Sequence, residues 1–152
     1  METRIIKFGD QDWKVTPFHC VVGPILQLHW EKLQAVWSSW DGRYWNGRSM
    51  SVYLERPPFV YVHEWRREVE SLRKLYEGDN FLFFTNNPLV VNEMQPEEVT
   101  LACIDNGKLV LTNFRDIAGF EDRSKVYALG ELWLFYAMGG NEPALRFGGP
   151  RP

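Results

Sequence analysis

Cysteine is scarce in this chain: Cys20 and Cys103 are the only two among 152 residues. That excludes a disulfide-dense framework and, with no secretory apolar segment at the start, points to a reducing, cytoplasmic setting. Basic charge is also in short supply. The net charge is −3, and Arg66 and Arg67 stand beside Glu64, Glu68 and Glu70 rather than in a patch of one sign. A phosphate-driven nucleic-acid surface is therefore not expected. No apolar run approaches the roughly 20 residues that a membrane span needs, so no membrane partner is expected either. Internal repeats, heptads and low-complexity tracts are absent, which leaves one domain over 1–152 with a loop-like tail at 141–152.

Aromatic side chains, by contrast, are plentiful: they make up 15% of the chain, with seven tryptophans. They bury large areas and favour a dense core or an adhesive face. Arg4–Phe8 reads as a strand, Gly9-Asp10 as a turn, and Trp13-Lys14-Val15 as its hairpin partner. Phe18–Val22 is a short apolar run suited to a buried strand. Beyond Pro24 the period changes. Leu26, Trp30, Leu33, Trp37 and Trp40 share one face of a helix. Residues 41–48 read as a loop and Met50–Leu54 as a strand stopped by Pro57-Pro58.

The spacing of Trp65, Val69, Leu72 and Tyr76 predicts a helix over His63–Glu77, with Gly78 as a left-handed stop. Asn80–Phe84 is apolar enough to be a central strand covered on both faces. Pro88–Met94 reads as a short helix, and Asp105-Asn106-Gly107 as the tight turn of a hairpin between Val99–Ile104 and Lys108–Asn113. Tyr127–Met138 is helical and apolar almost all round, so burial on more than one side is expected. The alternation predicts an α/β domain: a mainly parallel sheet with flanking helices, an N-terminal hairpin and an antiparallel hairpin near the C-terminus.

Four segments in order resemble the ABC-type ATPase heads of the RecF-like, OLD-like and SMC-related P-loop NTPase group. Phe18-His19-Cys20-Val21-Val22-Gly23-Pro24 is similar to the strand entering a phosphate loop. Ser51–Pro58 is similar to the Walker B strand, and Phe83-Phe84-Thr85-Asn86-Asn87-Pro88 to the switch motif. Leu129-Gly130-Glu131-Leu132-Trp133 with Gly139-Gly140 is similar to the closing helix.

The resemblance implies a minimal P-loop NTPase-like fold. Its chemistry is replaced position by position. A phosphate loop needs glycines so that backbone N–H groups can curl around phosphates, a lysine to neutralise them and a hydroxyl for magnesium. After Gly23 and Pro24 this chain has Ile25-Leu26-Gln27-Leu28-His29-Trp30 instead. Glu55 stands where a magnesium-associated acid is usual, but Arg56 replaces the glutamate that polarises water, and arginine cannot accept a proton. Asn86 replaces the switch histidine, and the section that carries the signature motif is missing. No cofactor is expected.

The resemblance thus implies a non-enzymatic pseudo-ATPase scaffold in an ATPase-containing complex of the DNA-maintenance or phage-defence type. Its partner would be a protein, such as an active ATPase of the same group. Two other readings stay open: a nucleotide-binding or catalytic subunit completed by a partner, with Glu55, Arg56 and Asn86 in a shared site, or an unrelated α/β immunity or inhibitor-type protein. Glu55 itself also fits an exposed strand-end carboxylate. Tyr44 and Trp45, in a glycine-containing loop, are the candidate partner contacts, with core capping as their alternative. His19, His29, His63, Cys20 and Cys103 match no metal-ligand spacing.

Overall fold

The computed structural model describes residues 3–23, 27–38, 62–78, 80–85 and 87–137. Two strands, β1 (Arg4–Phe8) and β2 (Gln11–Val15), form an antiparallel hairpin across Gly9-Asp10. Their burial alternates, because a strand points successive side chains to opposite faces. Trp13 and Val15 face inward, and Trp13 lies edge-on to Phe8 at 6.3 Å.

A second sheet holds four strands: β3 (Phe18–Val22), β4 (Phe81–Phe84), β5 (Val99–Asp105) and β6 (Lys108–Asn113), in the order β4-β3-β5-β6. β3 pairs in parallel with both β4 and β5, while β5 and β6 are antiparallel. The molecule is therefore mixed α/β, with two of the three pairings in this sheet parallel. Asn106 and Gly107 both take positive φ, 51° and 77°, the conformation a tight two-residue hairpin turn demands. β4 is buried along its whole length as expected, yet among the described strands it lies at the sheet's edge. Its burial comes from aromatic cover: Phe81 stacks on Tyr76 at 4.1 Å and on Phe18 at 5.8 Å.

Helix α1 (Gln27–Ser38) directs Leu33 and Trp37 into the core, so that part of the tryptophan stripe packs inward. Helix α2 (Val62–Leu75) buries Trp65 and Val69, with Tyr76 following just past its end and Gly78 at φ 85° closing the turn. Short helix α3 (Pro88–Val91) is capped by Asn87. A 3-10 turn, Pro96–Glu98, leads into β5, and a second, Phe114–Asp116, follows β6. Helices α4 (Phe120–Arg123) and α5 (Leu129–Ala137) complete the described chain. The turn at 114–116 and α4 have no counterpart in the sequence-based expectation; α4 starts from Gly119 at φ 80°, a conformation glycine alone takes freely. Among the described residues no helix is long and apolar enough to cross a membrane.

Candidate functional site

In an open α/β sheet, ligands bind at the carboxyl ends of strands where the strand order reverses. Here that point is the end of β3, because the chain proceeds to β4 on one side and then to β5 on the other. Gly23 stands immediately after β3 with φ 140°, and a Cβ there would overlap the carbonyl oxygen of Ala102 on β5. Glycine is required at this spot for close approach to a neighbouring strand.

At the end of β4 the polar groups are taken up locally. Thr85 N–H donates to Val21 carbonyl at 3.2 Å, extending the ladder. Thr85 Oγ1 accepts from Asn87 N–H at 3.0 Å, and Asn87 Oδ1 accepts from Leu89 N–H at 2.9 Å. These groups build the turn into α3.

No family model, no curated protein and no solved structure matches the chain.

Of the positions expected from the resemblance to ATPase heads, Gly23 is at the strand end and His29 is half-buried on α1. The side chain of Trp30 lies outside the described residues, as do Pro24, Tyr44, Trp45, Glu55, Arg56 and Asn86.

Beneath the strand ends lies a buried polar network that the sequence did not reveal. His19 is central in it. Thr16 N–H donates to His19 Nδ1 at 3.2 Å, so Nδ1 carries the lone pair and Nε2 carries the proton. Nε2 lies 2.6 Å from Thr100 Oγ1, which also accepts from Trp13 Nε1 at 2.9 Å. Thr16 Oγ1 donates to Phe18 carbonyl at 2.8 Å. Burial lowers the His19 pKa to about 3, which keeps the ring neutral. Both ring nitrogens are engaged, so His19 acts as a strut between β3, β5 and the hairpin. Burial, with the Glu98 carboxylate adding to it, pushes the Cys20 thiol well above its ordinary range, which suppresses the thiolate that nucleophilic chemistry would need. Among the described residues, no group of three or more His, Cys, Asp and Glu side chains could hold a metal ion.

The outer side of α5 departs from expectation. Leu132, Trp133 and Tyr136 are buried, but Leu134 and Phe135 are 45% and 38% exposed. Just before the helix, Val126 and Tyr127 are 74% and 50% exposed. Of six large apolar side chains found exposed among the described residues, these four fall within 126–135. The burial expected on more than one side is thus not what α5 shows. A signal was present in the sequence: Glu131 precedes Leu134 and Phe135 by three and four residues, and so marks their face as the outward one. Arg123 lies over the Phe135 ring at 5.3 Å, a cation–π contact at the margin of the patch.

Proposed function

We propose that this chain is a non-enzymatic scaffold that works through protein–protein contact, built on a degenerate ATPase-head-like plan. The observation that carries the reading is the outer face of α5, where Tyr127, Leu134 and Phe135 stand exposed beside Val126. Concentrated exposed apolar surface of this kind marks a place where another molecule is bound. Aromatic side chains at such a face supply contact area with little loss of conformational freedom.

The ATPase-head part of the proposal is supported by β3, whose trailing Gly23 occupies the switch point between two parallel neighbours. Phosphate binding at a strand end calls for convergent N–H groups and a cation. Thr85 and Asn87 use their side-chain acceptors on the turn into α3, which suits a supporting role. The partner in this reading is an active ATPase of the same group, or another subunit of a system that contains one.

The test is copurification from the native host with tagged wild type, Leu134→Asp and Phe135→Asp. One stoichiometric protein is expected with wild type and not with either variant, while circular dichroism of the three chains coincides. Retention of that same protein by both folded variants would overturn the assignment of α5 as the contact face.

A further inference from the structure

The β1–β2 hairpin and the four-stranded sheet are separate sheets, and among the described residues no backbone ladder joins them. Side chains join them instead. Trp13 Nε1 donates to Thr100 Oγ1 at 2.9 Å, and Lys14 Nζ bonds Asp116 Oδ2 at 2.8 Å. Gln11 Nε2 donates to the Leu109 carbonyl at 2.7 Å, and its Oε1 accepts the Leu111 N–H at 3.0 Å. A further tie lies at the junction with β3, where Thr16 N–H donates to His19 Nδ1 at 3.2 Å. An isolated two-stranded hairpin is marginal in water, so β1–β2 depends on these ties and on the burial of Trp13 and Val15.

His19 stands where the ties meet. Its Nε2 shares Thr100 Oγ1 with Trp13, whose ring lies edge-on to the imidazole at 6.1 Å. Uncharged residues adjoin it: Trp13 from β2, Leu82 from β4 and Thr100 from β5. Asp12 and Lys14 alternate with Trp13 along β2 and are exposed on its other face. Glu98 bears on Cys20, the next residue of β3, whose side chain takes the opposite face, and is itself held by Arg73. A second proton on the imidazole goes to Nδ1, the atom that accepts the Thr16 N–H. Thr16 Oγ1, 3.2 Å away, can take the new N–H, but the buried Thr16 N–H then loses its acceptor. The added charge stands among uncharged groups and away from solvent.

We propose that the β1–β2 hairpin is an acid-released flap on the four-stranded sheet, with His19 as its trigger. Lifting Trp13 and Thr16 off the ring gives both nitrogens to water, so the proton is taken up in the lifted state. The ladder of β3 with β4 and β5 stays intact, since none of its pairs involves the hairpin. The ring titrates near 6.5 when open and near 3 when covered, so the lifted population rises about 25-fold from pH 7 to pH 5.

Native-state hydrogen exchange of the whole chain in low urea tests this. The Thr16 amide, bonded to His19, reports the hairpin, and the Thr85 amide, bonded to the Val21 carbonyl, reports the sheet. Thr16 is expected to be less protected than Thr85 at every pH and to respond more weakly to urea, as a local opening does. Its protection factor should fall about 25-fold between pH 7 and pH 5. His19→Gln puts a neutral amide in place of the ring and should hold Thr16 protection constant over that range. Protection of Thr16 equal to that of Thr85, with the same urea response, overturns the proposal, because the hairpin would then leave only with the sheet. A wild-type Thr16 protection factor that does not change with pH overturns it as well, whether or not the variant folds. So does a folded His19→Gln that keeps the wild-type pH response.

Discussion

Arg73 on α2 grips the buried carboxylate of Glu98 with two hydrogen bonds, Nη1 to Oε2 at 2.7 Å and Nη2 to Oε1 at 2.6 Å. Glu98 Oε1 also accepts the Gln95 N–H at 2.8 Å, and the guanidinium lies over the Phe18 ring at 4.5 Å. One side chain thus joins α2 to the turn that launches β5 and to the first residue of β3. Paired charges in such a place are stable together and poorly tolerated apart, since a lone buried carboxylate has lost its water without replacement.

Arg73→Met is accordingly expected to lower the unfolding free energy by about 3 kcal/mol. Adding Glu98→Leu should restore part of that loss, because the stranded charge goes with it. Urea unfolding of wild type, single and double variants measures both steps. A single variant within about 0.5 kcal/mol of wild type, the range of an ordinary surface change, would show that the pair contributes nothing.

Gly130 puts two effects in competition. In an open helix Gly→Ala stabilises by about 1 kcal/mol. At Gly130 a Cβ would overlap the carbonyl oxygen of Pro88 and lie 2.6 Å from Asn92 Oδ1, the atom that accepts the Gly130 N–H at 2.6 Å. Overpacking against fixed backbone costs about 1–3 kcal/mol, so packing outweighs propensity. Gly130→Ala is expected to lower the melting temperature by several degrees. A rise would mean that α3 and α5 are not in close contact.

These two sites show what was legible in the sequence and what was not. The hairpin at Asn106-Gly107, the strand at Phe18–Val22 and the apolar face of α2 rest on local signals, namely turn chemistry and period. They appear within a residue or two of where the pattern puts them. Gln11 with β6, His19 with Thr100 and Arg73 with Glu98 join residues 98, 81 and 25 positions apart. No local spacing encodes such partners. The outward face of α5 was half legible: the helix stands out by its apolar run, while Glu131 is a single residue against it. The candidate site was legible at Gly23, where the sequence marks the strand end, while the commitments of Thr85 and Asn87 emerge only with the turn in view.

His19 gives stability an acid limb. Its folded pKa is about 3 and its unfolded value 6.5. The unfolded chain takes up a proton that the folded chain refuses, so stability is intact above pH 6.5 and falls as the pH drops toward 3. From this group the loss amounts to about 2 kcal/mol by pH 5. Thr16, Trp13 and Thr100, which surround the ring, do not titrate there. His19→Gln lacks this contribution, so the stability gap between wild type and variant should narrow from pH 7 to pH 5 in chemical denaturation. A gap that stays constant would contradict a neutral, buried His19.

Calorimetric titration of the purified chain with ATP and magnesium tests the scaffold reading most directly. After Gly23 and Pro24 the chain reads Ile25-Leu26-Gln27-Leu28-His29-Trp30, with no glycine, lysine or hydroxyl to hold a phosphate, and the polar side chains at the end of β4 are held in a turn. No binding heat is expected at any ATP concentration up to the millimolar range, where a dissociation constant corresponds to only about 4 kcal/mol. Saturable, magnesium-dependent binding with a micromolar constant would contradict it.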